Sequence, residues 1–396
     1  MKIITPTVEH GIVSRSTTGF FGYHGWPTIA RDENGTLYAV ASGFRMEHVC
    51  PFGKTTMYIS RNNGKTWTPP IVINDTFLDD RDAGILYMGN GRLLVTWFCH
   101  SATVNQTELI GSMKWRSTPR EWNAMKGMLD GLDYITPEEG RGGSFIRISE
   151  DYGVTWSDTI RIGGSAPHGP NLMRDGSILY LGKDMYITTP KNIASEQQIR
   201  AYRSADGGYT WEELGSVPIP ENHKLEYYHE PHVAELPDGR LLGALRVQGS
   251  EDIEGKAYYR GEFLPGFTIY TTISDDGGRT WSMPKPTGAN GSPPHLLLHS
   301  SGALICSHSR RDLPIGIHAM VSYDLGESWA EEYLIEDRMP EPDERLEHAD
   351  LGYPSTVELD DGSLFTVYYA MLPGDEKTSL VSAHWSLENT ESQRLS

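Results

Sequence analysis

Short segments in which apolar and polar residues alternate run along most of the chain, and turn-forming residues separate them. Thr56 to Ile59 and Thr271 to Ile273 are examples, each followed by a polar segment that ends in tryptophan. An alternation with a period of two residues is typical of half-buried β-strands. Frequent turns between such segments indicate antiparallel strands. The pattern therefore predicts an all-β protein.

The polar segment is an eight-residue repeat with the pattern Ser-x-Asp-x-Gly-x-Thr-Trp. In such a segment a short acidic side chain can accept hydrogen bonds from the backbone of a tight turn, and glycine supplies the positive φ. The tryptophan then packs into the sheet beneath the turn. We expect a structural role for all copies and no direct role in catalysis. The five copies are Ser60 to Trp67, with Asn62 in place of aspartate, Ser149 to Trp156, Ser204 to Trp211, Ser274 to Trp281 and Ser322 to Trp329.

A second repeat consists of a proline, a turn glycine about eight residues later, and an apolar strand. Together the two repeats define six units on a period of about 50 to 60 residues, which predicts a six-bladed β-propeller. The units begin at Pro27, Pro231, Pro294 and Pro354, at Pro170 in a shorter version, and at Asp82 without the proline.

The propeller is expected to form a single domain over residues 1–396, because the repeats continue to about Tyr369 without a linker-like break. Residues 104–141 depart from the pattern and predict an insertion in the second blade, with a short helix over one face. The sixth unit lacks its own eight-residue motif. Residues 1–20 are therefore expected to supply an outer strand that closes the ring against the last blade.

Charge and composition restrict the partners. The formal net charge is −19, so binding to nucleic acid or to an anionic membrane is not expected. No apolar stretch has the length of a membrane span, and residues 1–16 lack the apolar core of a signal peptide. We expect a cytoplasmic protein, or a secreted one if a leader has been removed. Three cysteines without metal-type spacing predict neither a disulfide framework nor a metal or other cofactor.

Ionisable and aromatic residues stand just before the inner strand of each unit. The inner strands of a propeller begin around its central axis, so these residues are expected to line one shared pocket. The residues to which we assign substrate binding on this ground are His24, Trp26, Asp80, Arg81, Asp82, His168 and His229.

The repeated motif is identified as the Asp box, and the chain resembles the sialidase (neuraminidase) superfamily of six-bladed propellers over nearly its whole length. The segment from Glu230 to Arg246 is similar to the one that carries the activating glutamate and an arginine of the carboxylate-binding triad. The segment around Tyr353 is similar to the one that carries the tyrosine nucleophile. Arg310 and Arg311 lie where another triad arginine is expected, and the sequence leaves open which of them it is.

This resemblance implies an exo-acting glycoside hydrolase that removes a terminal, acidic sugar from a glycan. A carboxylate at the anomeric carbon would repel an anionic nucleophile. A neutral tyrosine, deprotonated by a buried glutamate as it reacts, avoids that repulsion. We therefore expect Tyr353 to act as the nucleophile and Glu230 as its base.

The chain departs from the family pattern at two places. The family has its first triad arginine where this sequence reads Gly25-Trp26-Pro27. The first-blade loop, which carries an aspartate as acid/base in the family, offers Glu47 or His48 instead. Arg45 still matches a sugar-contacting arginine of that loop. The pocket could therefore hold an acidic sugar other than sialic acid, or a neutral one.

Two other functions remain open at this point. One is a histidine-dependent lyase or hydrolase of uronic-acid-containing glycans, which could use a divalent metal. The other is a propeller that binds glycans or proteins without catalysis. A pure binding protein has no need of a tyrosine backed by a buried carboxylate, so we favour the hydrolase.

Overall fold

Six antiparallel sheets arranged around a central axis form the molecule, as the sequence predicts. The computed structural model describes residues 1–15, 19–185, 197–248, 257–259, 262–264, 267–311, 314–338 and 350–388. We number the sheets as blades 1 to 6 in chain order and call the strand nearest the axis the inner strand.

The strands of the blades follow the chain from the axis outward. Blade 1 contains Tyr23–Arg31, Leu37–Arg45, Lys54–Ser60 and Ile71–Asn74, and blade 2 contains Arg81–Tyr87, Leu93–Cys99, Gly143–Ser149 and Ile160–Ile162. In blade 3, Gly164–Ser165 and Asn171–Leu172 both pair with Ile178–Asp184, which is followed by Ile199–Ser204 and Glu212–Ser216.

The second half of the ring has the same plan. Blade 4 contains Tyr228–Glu235, Leu241–Val247, Thr268–Ser274 and Lys285–Asn290, and blade 5 contains Ser292–Leu298, Leu304–Arg310, Gly316–Ser322 and Glu331–Glu336. Blade 6 contains Leu351–Glu358, Leu364–Met371 and Thr378–Trp385. A separate two-stranded ribbon is formed by Ala257–Tyr259 and Glu262–Leu264.

The ring is closed by the N-terminal segment, which confirms the expectation for an outer strand there. Glu9–Ser14 pairs antiparallel with Thr378–Trp385 as the fourth strand of blade 6. In addition, Lys2–Ile4 pairs parallel with Glu331–Glu336 of blade 5, which the sequence did not indicate. Residues 16–18 of the predicted segment lie outside the described residues.

Helices occur mainly in the region predicted as an insertion, between the second and third strands of blade 2. They are Ala102–Thr107, Ile110–Arg116 and Pro119–Gly131, followed by the 3-10 helix Leu132–Tyr134; a further 3-10 helix is Leu225–Tyr227. Pro119–Gly131 begins with a capping box, in which Thr118 and Glu121 satisfy each other's backbone N–H groups. Among the described residues, no helix has the length and apolarity needed to cross a membrane.

The hydrophobic core lies between adjacent blades. Leu242 and Ile269 of blade 4, for example, pack in one buried cluster with Leu304, Cys306 and Met320 of blade 5. Each blade is therefore stabilised mainly by its two neighbours, as expected for a repeat architecture.

The Asp boxes form the turns that the sequence predicts. In blade 4, Asp276 Oδ1 accepts from the backbone N of Thr280 at 2.8 Å and Oδ2 from its Oγ1 at 2.7 Å. Ser274 Oγ donates to Asp276 and accepts from the N of Gly278, whose φ is +93°. Trp281 Nε1 donates to the Gly278 carbonyl at 3.2 Å. Equivalent bonds occur at Asn62, Asp151, Asp206 and Asp324.

A β-bulge interrupts the inner strands at one equivalent position. The pairing with the second strand shifts register around a residue that precedes a proline, or an alanine in blade 2. We call these positions the bulge residues: Trp26, Asp82, Glu230, Pro293 and Tyr353. In blade 3 the equivalent position, Gly169 before Pro170, lies between the two short inner segments. Four of them are non-glycine residues with positive φ, at 54° for Trp26, 51° for Asp82, 42° for Glu230 and 54° for Tyr353. Such conformations cost about 1–3 kcal/mol each and cluster at functional sites.

The Asp boxes predict an acid-sensitive contribution to stability. The side-chain and backbone hydrogen bonds from Thr280 lower the pKa of Asp276 to about 2, from about 3.9 in an unfolded chain. The stabilisation is therefore complete above about pH 4 and is lost as the pH falls toward about 2. We expect Asp276→Ala to lower the urea midpoint at neutral pH and to match the unsubstituted protein near pH 2. Urea unfolding followed by tryptophan fluorescence measures both midpoints.

The matched control is Asp275→Ala, which changes the adjacent exposed carboxylate. It should leave the midpoint unchanged at every pH. An equal loss in both variants would contradict a specific role for the Asp276 hydrogen bonds.

Candidate active site

Tyr353, Glu230 and Arg246 form a hydrogen-bonded group at the axial end of blades 4 and 6. Tyr353 Oη donates to Glu230 Oε1 at 2.5 Å, and Arg246 Nη1 donates to Glu230 Oε2 at 2.5 Å. Arg246 Nη1 also lies 3.4 Å from Tyr353 Oη, and its Nη2 donates to Gln248 Oε1 at 2.6 Å. The bulges of two blades thus bring together a tyrosine and a glutamate that are 123 residues apart in the sequence.

The electrostatics of this group keep the tyrosine protonated at rest. Burial raises the pKa of Tyr353 well above its usual value, and the charges of Glu230 and Asp82 raise it further. Arg246 and Arg311 act in the opposite direction. The phenol is therefore neutral, with a carboxylate in place to accept its proton and two guanidinium groups to stabilise the resulting charge.

Of the two adjacent arginines, Arg311 is the one near Tyr353. Its side chain is buried, Nη2 donates to the carbonyl of Leu351 at 3.3 Å, and its charge acts on the pKa of Tyr353. Arg310 extends instead toward the outer strands of blade 5, where Nη1 lies 3.7 Å from Glu332 Oε1.

Trp26 follows Gly25, the residue that stands where the resemblance leads one to expect an arginine. Its ring centre lies 6.3 Å from that of Tyr353, and the guanidinium groups of Arg81 and Arg45 lie 4.2 and 4.6 Å from the indole centre. Asp79 binds both arginines: it forms a bidentate pair with Arg45 and accepts from Arg81 at 3.2 Å. Arg45 is completely buried, so it supports Trp26 from within the protein.

Asp82, the bulge residue of blade 2, has an unusual protonation behaviour. Burial raises its pKa to about 7; the charge of Glu230 adds to this effect and that of Arg81 opposes it. Its Oδ1 has no hydrogen-bond partner within the described part of the chain. Asp82 can therefore carry a proton near neutral pH and transfer it to another group.

The two acid/base candidates of the first-blade loop have different surroundings. His48 Nδ1 lies 2.9 Å from Tyr23 Oη and 3.1 Å from Asp350 Oδ1, with its ring 5.1 Å from Trp26. Burial lowers the pKa of His48, although Asp350 opposes this. Glu47 accepts from Lys377 Nζ at 2.9 Å, and the same lysine binds the insertion at Glu121. Glu47 thus takes part in anchoring the insertion to blade 6.

The remaining predicted residues fall into two sets. His168 lies near the group, with its ring 6.3 Å from that of Tyr353, and His229 is adjacent to Glu230. Asp80 lies outside the group, because its oxygens accept from Asn74, Thr76 and Cys99 within blade 2. His24 also lies outside it, in contact with Tyr58 Oη at 3.2 Å, and burial lowers its pKa to about 4.

One residue of this region was missed by the sequence analysis. Lys183 Nζ lies 3.2 Å from His229 Nδ1; burial lowers the pKa of Lys183 to about 8, against the opposing charge of Glu230. Lys183 is the sixth residue of Ile178–Asp184, as Arg246 is of Leu241–Val247. Aligning the second strands of neighbouring units would have revealed the correspondence.

The sequence matches the BNR repeat-like domain family over residues 106–366 and a BNR/Asp-box repeat over residues 58–69. A comparison with curated proteins finds no match.

Several solved structures have a similar fold. A protein of unknown function from Dyadobacter fermentans is 19% identical with a TM-score of 0.71, and covers 97% of this chain and 100% of its own. The intramolecular trans-sialidase of Ruminococcus gnavus is 15% identical with a TM-score of 0.62, and the match covers 96% of this chain and 97% of the trans-sialidase. The α-L-arabinanase of Penicillium chrysogenum is 16% identical with a TM-score of 0.59, and the match covers 97% of this chain and 99% of the arabinanase.

The paired arginines beneath Trp26 predict a large effect on stability. Asp79→Ala would leave Arg45 buried without its counter-charge, which costs about 3–5 kcal/mol. Guanidinium unfolding should show this loss, and the additional change Arg45→Met should recover much of it because it removes the unpaired charge.

The control is Asp130→Ala, which breaks the exposed pair between Lys126 and Asp130 on the insertion helix. Exposed pairs contribute about 0–1 kcal/mol. If Asp79→Ala were as mild as Asp130→Ala, Asp79 would not hold the arginines in the way described.

Proposed function

The chain belongs to the BNR repeat-like domain family, within the sialidase-like superfamily of Asp-box propellers, and on this basis we propose that it is an exo-acting glycoside hydrolase. In this proposal Tyr353 is the nucleophile and Glu230 its base. The enzyme removes a terminal sugar from a glycan by way of a covalent glycosyl–tyrosine intermediate.

The observation that carries the proposal is the short hydrogen bond from Tyr353 to Glu230, with Arg246 bound to the same carboxylate. A phenol that donates to a partly buried carboxylate is activated as a nucleophile without being charged before the reaction begins. A tyrosine that only packed in the core would not need a glutamate in a strained backbone conformation opposite it. The positive φ of both residues is thus consistent with a functional requirement.

The first chemical step transfers one proton and exchanges one bond. Tyr353 Oη attacks the anomeric carbon while its proton passes to Glu230 Oε1, and the bond from that carbon to the leaving oxygen breaks. The leaving oxygen takes a proton from a general acid. Water then attacks the same carbon, the general acid now acts as a base, and Tyr353 regains its proton from Glu230, so the configuration is retained overall.

We assign the general acid to Asp82. Its pKa of about 7 matches the requirement for a group that donates a proton and then accepts one near neutral pH. The charge of Asp82 acts on the pKa of Tyr353, as that of Glu230 does, so the three side chains are neighbours. His48, held by Tyr23 and Asp350 on the far side of Trp26, is the alternative, and Glu47 is less suited because Lys377 binds it.

The substrate we propose carries a carboxylate. Three cationic side chains act on the Tyr353–Glu230 pair: Arg246, Arg311 and Lys183. Arginine and lysine side chains bind carboxylates through charge-assisted hydrogen bonds. Because the expected arginine is absent at Gly25, we infer an acidic sugar whose carboxylate is bound by Arg246 and Arg311. Neutral arabinofuranosides form the comparison class, since the Penicillium chrysogenum structure is an arabinanase.

Replacing the nucleophile tests the mechanism. Tyr353→Phe should lower kcat by about 10⁴-fold or more, because the attacking oxygen is removed, while substrate binding is retained. The measurements are release from a panel of chromogenic sialosides, uronides, rhamnosides and arabinofuranosides, and calorimetric titration of the best substrate.

The matched control is Tyr369→Phe, whose ring lies 6.0 Å from that of Tyr353 in the same buried cluster. It should keep most of the turnover. Undiminished release by Tyr353→Phe would exclude a tyrosine nucleophile, and binding without release by the unsubstituted protein across the panel would favour a non-catalytic glycan-binding protein.

The assignment of Asp82 predicts the shape of the pH profile. A carboxyl group with a pKa of about 7 is a proton donor below that pH, so kcat/KM should fall as the pH rises through about 7. Asp82→Asn should lower the rate by about 10²–10⁴-fold and remove this limb. Asp80→Asn, at a neighbouring buried carboxylate outside the group, should keep the limb. A limb that persists in Asp82→Asn would transfer the role to another residue, with His48 tested next.

A further inference from the structure

A buried cluster of His308, His318 and Glu332 lies in blade 5, away from the group around Tyr353. The three residues come from the second, third and fourth strands: His308 pairs directly with His318, and Glu332 pairs with Met320, two residues further along. His318 Nδ1 lies 3.1 Å from Glu332 Oε1, and His308 Nε2 lies 3.5 Å from the same oxygen. All three ligand atoms lie within 4.8 Å of one another.

The outer nitrogens of both rings are held by backbone carbonyls. His308 Nδ1 lies 3.3 Å from the carbonyl of Cys306, and His318 Nε2 lies 3.2 Å from that of Pro314. A nitrogen that faces a carbonyl must carry the proton, since both would otherwise be acceptors. In the neutral rings this leaves His308 Nε2 and His318 Nδ1 as acceptors, both close to Glu332 Oε1.

Three acceptors therefore meet in a space from which water is excluded. None of the three atoms has a hydrogen-bond partner within the described residues. An unpaired buried acceptor costs about 1–3 kcal/mol, and a carboxylate costs more. One added proton could form a hydrogen bond between only two of the three atoms, whereas a cation between them can be coordinated by all three.

Among the described residues, Arg310 is a further charged group near this oxygen. Its Nη1 lies 3.7 Å from Glu332 Oε1, which is longer than a hydrogen bond. It offsets part of the carboxylate charge but does not occupy the space between the two imidazoles. Gly291 packs against the His308 ring from the other side, since a Cβ there would lie 2.2 Å from Cδ2, and this contact keeps the ring in place.

We propose that His308, His318 and Glu332 form a structural binding site for a divalent transition metal of the zinc type. Two imidazoles and one carboxylate are a ligand set that zinc accepts, with bonds of about 2.0–2.1 Å that place tetrahedral ligand atoms about 3.3 Å apart. The two measured contacts bracket that separation. Carbonyls that orient the far nitrogens are the usual outer partners of metal-bound histidines.

Such a metal would join three strands of blade 5 and fix the strand that leads to Arg311. His308 is three residues before Arg311, and Glu332 pairs in addition with Ile3 of the N-terminal strand. The metal would thus stabilise the ring where the N-terminal segment joins it. It takes no part in the chemistry proposed at Tyr353.

The test is the metal content of the full chain, produced with zinc in the medium and dialysed against metal-free buffer. Elemental analysis should give about one zinc per chain. Glu332→Gln should lose it, because the amide has no charge and can itself donate to a histidine lone pair, which also favours folding. His299→Gln, at a buried histidine of the same blade that binds the Gly362 carbonyl, should retain it.

Cobalt gives a second measurement that needs no variant. Protein stripped of zinc and loaded with Co²⁺ should show the visible absorption of a cobalt ion bound by imidazole nitrogens, and a chelator should lower the Tm of the zinc-loaded protein. Less than a tenth of an equivalent of zinc after loading, no cobalt spectrum, or equal metal in Glu332→Gln and the unsubstituted protein would each overturn the proposal. The cluster would then be a buried ion pair in which an imidazolium faces Glu332.

Discussion

The bulge in the inner strands is the constraint on which the site depends. A regular strand would direct alternate side chains into the spaces between blades, where only apolar packing is available. In four blades the extra residue carries a side chain and is held at positive φ, and the bulge changes the direction of that side chain. The conformational cost is repeated at Trp26, Asp82, Glu230 and Tyr353. The interblade core and the Asp boxes supply the stability that permits it.

The axial group combines neighbouring side chains that differ in charge and in burial. Burial keeps Tyr353 protonated and raises the pKa of Asp82 to about 7, whereas Glu230 accepts a hydrogen bond from the guanidinium of Arg246. A neutral phenol and a carboxyl group that can hold a proton near neutral pH therefore lie near one carboxylate. This separation is how a single environment can contain both a base and an acid at one pH.

The sequence predicts those parts of the structure that depend on local patterns. Five Asp boxes fix the blade count, because each box forms its bonds within eight residues, and the motifs around Glu230 and Tyr353 identify the central pair. Features that depend on the register between strands could not be predicted. A shift of one residue in the strand register would bring Arg310, instead of Arg311, close to Tyr353. Lys183 and the cluster of His308, His318 and Glu332 can be recognised only when neighbouring strands are aligned. The pKa of Asp82 depends on burial, which no motif encodes.

The pairing of Glu9–Ser14 with Thr378–Trp385 sets the order of events during synthesis. Glu9–Ser14 leaves the ribosome before blade 1, yet its partner strand emerges more than three hundred residues later. Blades 1 to 5 can pack on their neighbours while this strand waits without a partner. Because Trp26 and Tyr353 come from the two blades that meet last, the pocket is completed only when the ring closes. Any activity at the axis therefore requires that the whole ring has folded.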